Sequence, residues 1–281
     1  MRLLNWTKDY LARAGLDEPR LAAEVLLAHV LGCQRIDLYT RFNYEPTPEQ
    51  LDAFRQLVQR AHKLEPVAYL VGEKEFYSLR FKVTPDVLVP RAETEMLVAE
   101  AVSHLSRLGR PGRVWDACTG SGCIAVATAS CVKDALVLAT DISPSAIAVA
   151  EENAAMNKVA DRVRCRVANL LTLPEDCADL KDFDVITANP PYVADNQMVT
   201  ETVLHEPSIA VHAGPEGLDF IRPIVSDAPK FLAAGGILAM EYGYAQADEV
   251  RELIVATGAF QEPRILKDVQ GIERSTVAAR K

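Results

Sequence analysis

The chain lacks several features that would each announce a class of protein. Its six cysteines (Cys33, Cys118, Cys123, Cys131, Cys165, Cys177) form no Cys-x-x-Cys pair, and its five histidines show no ligand spacing. A metal centre is therefore not expected, and the thiols read as small buried apolar groups of a reducing compartment. No uninterrupted apolar stretch approaches the roughly 18 residues of a membrane span. The opening MRLLNWTKDYLARAG turns polar too soon for the apolar core of a signal peptide. A cytoplasmic protein with no membrane partner is expected. Excess positive charge is also missing: 30 Lys+Arg against 39 Asp+Glu leave a net charge of −9. Residues 1–75 hold 10 basic and 11 acidic groups, and residues 76–281 hold 20 and 28. Neither part is a phosphate-tracking surface, so no direct nucleic-acid binding is expected. What is present, 281 residues that are 49% hydrophobic and 25% charged, describes a globular chain of two domains or one with an appendage.

Residues 1 to about 72 read as helical. Asp17-Glu18-Pro19 opens a run that stops at Gly32, with Pro in the first turn and Gly after the last. Leu21, Val25, Ala28 and Leu31 recur in it at the spacing of one buried face. Thr47-Pro48-Glu49-Gln50 has the form of a capping box for a second helix. From Phe76 the texture changes, and FYSLRFKVTPDVLVP reads as a hairpin or extended connector. A helix follows Pro90. Strands are then expected at 113–117, 135–141, 162–168, 183–189 and 236–243, with helices near 122–131, 144–156, 217–233 and 246–257. That alternation predicts a mostly parallel, Rossmann-like α/β sheet covered on both faces. FQEPRILKDV and ERSTVAAR, joined through Gly271, predict an antiparallel pair at the end. The expected division is a helical domain at 1–74, a β-hairpin connector at 75–90 and a sheet domain at 91–281.

Three features fall at carboxyl ends of strands, where open α/β sheets bind ligands. The first is Asp116-Ala117-Cys118-Thr119-Gly120-Ser121-Gly122, whose glycines let the backbone turn sharply against a ligand. Gly120, Gly122 and Ala125 would equally satisfy a dinucleotide reader. The second is Asp141, about 20 residues beyond the glycines, where a carboxylate accepts both hydroxyls of a ribose. Its competing role is to cap the helix opening at Ser143-Pro144, which Ser143 fills at least as well. The third is Asn189-Pro190-Pro191-Tyr192 after the fourth strand. A double proline there is often only a stop signal. Pro190, however, presents a carbonyl at fixed φ, Asn189 adds a second acceptor, and Tyr192 adds a flat face. Together they suit a planar –NH2 group.

These three features resemble the class I methyltransferases that use S-adenosylmethionine on planar nitrogens. Within that group the chain is similar to the peptide chain release factor glutamine methyltransferases, the HemK/PrmC family. The similar stretches run almost end to end: Pro66 to Gly72 (PVAYLVG), Glu75-Phe76-Tyr77, Val89 to Glu95 (VPRAETE), Glu206 to Ala210 (EPSIA), Gly217-Leu218 and Glu273-Arg274. The resemblance implies a substrate, the glutamine of the release factor's Gly-Gly-Gln loop, and amino-terminal helices that help dock it. It implies S-adenosyl-L-methionine bound by Asp116, Cys118, Thr119, Gly120, Ser121, Gly122, Asp141, Asn169, Leu170 and Asn189, with S-adenosyl-L-homocysteine as product. It implies Asn189, Pro190, Pro191 and Tyr192 on the substrate, and a monomer. Two positions depart from the family pattern, Cys118 in place of Gly and Ala92 in place of Pro. Asn169 stands where an acid is common, and Leu170 where an aromatic is frequent.

The chemistry expected is in-line methyl transfer. Asn189 Oδ1 and the Pro190 carbonyl orient the amide NH2 while Tyr192 packs over its plane, and no His or carboxylate next to the motif offers a general base. Three readings compete: N-methylation of a nucleic-acid base, which poses the same geometric problem; an NAD-linked oxidoreductase, which leaves Asn-Pro-Pro-Tyr unexplained; and an inert binding protein. Glu206-Pro207, Arg91, Glu93 and Glu95 are candidates for the site entrance, and Phe76 and Tyr77 for either a pocket wall or core.

Overall fold

The computed structural model describes residues 2–40 and 44–281, which form two compact units. One comprises the first 73 residues with Val199–His205; the other comprises Lys74–Met198 and Glu206–Lys281. Among the described residues no helix is long and apolar enough to cross a membrane, and no cluster could hold a metal ion.

The first unit is helical: α1 (Arg2–Arg13), α2 (Pro19–Leu31), α3 (Asp37–Thr40), α4 (Pro48–His62) and α5 (Val67–Val71). The capping box forms as expected, with Thr47 Oγ1 accepting from Gln50 N at 3.3 Å and Gln50 Oε1 accepting from Thr47 N at 2.9 Å. Such a cap contributes about 1 kcal/mol. Gly32 ends α2 in the left-handed region, its amide reaching back to the last turn. The expected buried face of α2 is wrong, however. Leu21, Val25 and Leu31 are only half-buried, and the interior side is Ala22, Ala23, Leu26 and Leu27 with Ala28. This helix packs against α1, α4 and α5 together, and even its one acid, Glu24, is buried. Spacing alone therefore cannot single out the stripe that small alanines let approach its neighbours.

The second unit opens on a hairpin of β1 (Glu73–Phe76) and β2 (Leu79–Lys82). Its turn residues Tyr77 and Ser78 both have positive φ, the primed geometry that matches strand twist. Phe76 is buried and packs edge-on against Phe81, ring centroids 5.9 Å apart. The core role wins for it. After α6 (Glu95–Leu105) come β3 (Arg113–Ala117), α7 (Cys123–Cys131), β4 (Leu136–Asp141), α8 (Pro144–Met156), β5 (Val163–Val167), β6 (Phe183–Ala188), α9 (Ile221–Phe231), β7 (Leu232–Glu241), α10 (Ala247–Ala256), β8 (Arg264–Lys267) and β9 (Glu273–Ala279).

Seven strands form one sheet in the order β5-β4-β3-β6-β7-β9-β8. The first five run parallel, and β9 is antiparallel to both β7 and β8. Side chains alternate between two cores. Val114, Val137, Val185 and Ile237 face one, while Trp115, Leu138, Ile186 and Leu238 face the other. Burial on both faces makes the central strands read as near-continuous apolar runs. Because β4 lies on one side of β3 and β6 on the other, the strand order reverses between β3 and β6. A crevice opens at that switch point, outside the carboxyl ends. Ala117 pairs in register with Ala188, so the glycine turn and Asn189 leave the sheet side by side.

Candidate active site

The crevice is lined by nine of the residues expected from sequence: Cys118, Thr119, Gly120, Ser121, Asp141, Asn169, Leu170, Asn189 and Pro191. All lie in the second unit. Asp116, Gly122, Pro190 and Tyr192 are not part of the wall. They stand behind it or beside it.

Asp116 is fully buried under the turn, opposite Thr187 in the β3–β6 register. Its carboxylate accepts from Thr187 Oγ1 at 2.7 Å and from Thr119 Oγ1 at 2.5 Å. Burial pushes its pKa up to about 6, against the pull of those two hydroxyls. Gly122 has a φ of +78°, and a Cβ there would meet Ala150 Cβ of α8 at 3.0 Å. What glycine permits there is the close approach of α7 to α8.

Cys118 has a φ of 55°, so its position demands the left-handed region that glycine adopts most easily. Burial, with Asp141 and Asp116 nearby, pushes its thiol well up, which keeps it neutral. Asp141 is pinned from both sides: Oδ2 accepts from Gly120 N and Oδ1 from Ser143 N, each at 2.9 Å. Ser143 takes the cap of α8 by accepting from Ala146 N. Each Asp141 oxygen keeps lone-pair capacity for a further donor. Burial raises its pKa against three backbone amides. Ile142, Ala168 and Leu170 supply apolar wall in the same crevice.

Asn189 follows β6. Its Nδ2 donates to Thr94 Oγ1 at 3.2 Å, and the Thr94 hydroxyl in turn donates to Glu241 Oε2 at 2.6 Å. The Tyr192 hydroxyl donates to Glu241 Oε1 at 3.2 Å. Glu241 ends β7 and is almost wholly buried. Burial pushes its pKa up to about 7, while Thr94 and Tyr192 act in the opposite sense. Among the described residues no donor takes Asn189 Oδ1 or the Pro190 carbonyl. Gln246 fixes the backbone beyond, its Nε2 on the carbonyls of Tyr192 (3.1 Å) and Gly217 (3.2 Å). A Cβ at Gly217 would lie 2.3 Å from Tyr192 O, so only glycine fits there.

Sequence reasoning missed Thr94 and Glu241. The one available signal was an acid closing an otherwise apolar strand, GILAME. It also missed the wall supplied by Asp86, Val87, Leu88, Ile209 and Phe220. Arg91 does reach the crevice. Its guanidinium meets Glu206 Oε2 at 2.6 Å, and Val89 N meets Glu206 Oε1 at 3.3 Å. Glu206 is therefore an interior counter-charge rather than an exposed lip. Glu95 accepts from Tyr77 N, and neither Phe76 nor Tyr77 walls the crevice.

Two family models match: the PrmC N-terminal domain over residues 2–72 and the ribosomal protein L11 methyltransferase (PrmA) over residues 93–194. The chain is 42% identical over 281 residues to the release factor glutamine methyltransferase of Rhodopirellula baltica, spanning 98% of this chain and 94% of that one. It is 42% identical over 277 residues to that of Geobacter sulfurreducens, spanning 97% and 94%. Among solved structures, the hMettl16 catalytic domain superposes with a TM-score of 0.58 at 15% identity, covering 81% of this chain and 80% of that one. A methyltransferase from Pyrococcus furiosus gives 0.52 at 17%, covering 73% and 91%. Both share the fold.

Proposed function

Because the chain belongs to the release factor glutamine methyltransferase family over nearly its whole length, we propose that it methylates the side-chain amide nitrogen of the Gly-Gly-Gln glutamine in a peptide chain release factor. The methyl donor is S-adenosyl-L-methionine. Residues 1–74 dock the release factor, residues 75–90 connect, and residues 91–281 carry the transfer. The same reading places the enzyme in the cytoplasm as a monomer, without a nucleic-acid or membrane partner.

The observation that carries this reading is the orientation of the Asn189 amide. With Glu241 ionised, the one Thr94 proton goes to its carboxylate, so Thr94 can only accept from Asn189. Asn189 Nδ2 is thereby committed, and Oδ1 is left as an acceptor for a substrate –NH2. The Pro190 carbonyl, beside the crevice wall and without a donor among the described residues, is the second acceptor. Two hydrogens on two acceptors fix the plane of the incoming amide.

The donor set fits the proposed cofactor. The spare lone pairs of Asp141 suit a ribose diol, Ile142, Ala168 and Leu170 suit an adenine ring, and the 118–121 turn suits the amino-acid portion. When bound, S-adenosylmethionine supplies an already electrophilic methyl group. An amide nitrogen is a weak nucleophile because its lone pair is delocalised, so alignment is what the protein must contribute. Holding the reacting atoms in attack geometry lowers a barrier by as much as ~7–11 kcal/mol. Asn189 and Pro190 hold the two hydrogens, and Tyr192 stiffens the turn through Glu241. The released proton passes to water.

Incubating the protein with a release factor and isotope-labelled S-adenosylmethionine, then reading the digest by mass spectrometry, tests the proposal. One labelled methyl on the loop glutamine is expected. A release factor left unmodified while the protein binds S-adenosylhomocysteine would overturn the substrate assignment.

A further inference from the structure

We infer that Thr94 and Glu241 are positioning residues for the methyl-transfer step, setting which way round the Asn189 amide lies. The inference rests on the methyltransferase reading above and assigns the origin of its polarity.

An asparagine amide is nearly symmetric in shape, and Asn189 could offer either oxygen or NH2 to the crevice. Only the oxygen serves a substrate amine. The choice is made by a chain of three groups drawn from distant parts of the sequence. Glu241 in its ionised form, which burial confines to pH above about 7, accepts only; it takes the Thr94 proton at 2.6 Å. Thr94, its single proton spent, presents a lone pair, and the Asn189 –NH2 turns to it at 3.2 Å. The acceptor character of one buried carboxylate is thus transmitted through a hydroxyl to Oδ1 at the crevice wall. Glu241 also takes the Tyr192 proton, so one residue orients both side chains that flank the prolines.

The parts are built to stay in place. Thr94 and Glu241 are each 2% exposed. Thr94 ends the turn Ala92–Thr94 ahead of α6. Glu241 is fixed by the β7–β9 ladder opposite Ser275. Neither residue lies next to Asn189 in sequence, and Glu241 does not line the crevice. Its effect on substrate passes through other side chains.

Three variants test this against wild type. Thr94→Val removes the hydroxyl at constant shape, Thr94→Ser retains it, and Glu241→Gln replaces an acceptor-only oxygen with an –NH2. Thr94→Val and Glu241→Gln are expected to lower kcat by roughly 10–100-fold, the scale of a small misplacement of reacting groups. KM for the release factor and Kd for S-adenosylhomocysteine should stay within about twofold, and Thr94→Ser should restore kcat to within about threefold. Adding Thr94→Val to Asn189→Ala should lower kcat by less than about twofold, because Thr94 acts through Asn189. Wild-type kcat in Thr94→Val, or full additivity with Asn189→Ala, would overturn the inference. So would an equal loss in Thr94→Ser, or a loss that appears in cofactor Kd instead of kcat. If Thr94→Val fails to fold, Glu241→Gln and Thr94→Ser decide the matter by the same criteria. Failure of the wild-type protein to methylate any release factor removes the function itself, a result distinct from wild-type-like turnover in the variants.

Discussion

Gly120 and Asp141 close the carboxyl ends of two neighbouring strands onto each other: the Gly120 amide donates to Asp141 Oδ2 at 2.9 Å. A residue expected to hold a ribose is therefore also what holds the turn that lines the other side of the crevice. Cofactor affinity and loop geometry rest on one carboxylate.

Asp141→Asn should weaken S-adenosylhomocysteine binding by at least about tenfold. An asparagine keeps one oxygen but sets an –NH2 against either Gly120 N or Ser143 N, and a lost charge-assisted hydrogen bond is worth ~1.5–3 kcal/mol. Calorimetric titration measures it. Unchanged affinity would remove Asp141 from the cofactor site.

Cys118→Gly should stabilise the protein. A non-glycine residue at φ 55° carries ~1–2 kcal/mol of steric cost. Glycine relieves that cost and returns ~0.5–1 kcal/mol through its greater freedom when unfolded. Strain relief is the greater of the two, and a rise in melting temperature of roughly 1–4 °C is expected for a chain of this size. Cys118→Val, branched at Cβ, should lower it. A lower melting temperature for Cys118→Gly would mean that the lost thiol packing outweighs the backbone.

The sheet was legible because burial on both faces makes β3, β4 and β6 short, mostly apolar segments between turn signals, and α8 begins where Ser143-Pro144 says it should. Two boundaries were less so. The helix expected over 217–233 occupies Ile221–Phe231, because Gly217 is held in a loop against Tyr192 O, and β7 begins at Leu232. The backbone ends of the site were visible for the same reason as the strands. Its polarity was not: Thr94 and Glu241 stand 147 positions apart, and no local pattern joins them. The face of α2 failed for want of contrast, since only Arg20, Glu24 and His29 interrupt its apolar residues and Glu24 is itself buried.

Asn189→Ala should reduce kcat by roughly 10²–10³-fold, the cost of deleting one preorganised hydrogen-bonding group at a reacting centre. Affinity for S-adenosylhomocysteine should hold, since Asp141 and the 118–121 turn are untouched. Single-turnover kinetics alongside calorimetry separates the two quantities. Turnover at the wild-type rate would exclude Asn189 Oδ1 as the acceptor.

Stability should depend on pH through Glu241. Its carboxyl moves from 4.5 to about 7 on folding, chiefly by burial, so between those values the folded chain keeps a proton that the unfolded chain has released. The protonated form is the stabilising one. Its contribution is complete below the unfolded value and disappears as pH rises through about 7. Asp116 behaves alike between 3.8 and about 6. Glu241→Gln cannot ionise, and its melting temperature relative to wild type should therefore climb from ~pH 5 to ~pH 8. Calorimetric melting across that range reads the difference directly. A gap of constant size at every pH would show that the Glu241 carboxylate is as well solvated in the folded chain as in the unfolded one, and the interior placement behind Thr94 and Tyr192 would have to be abandoned.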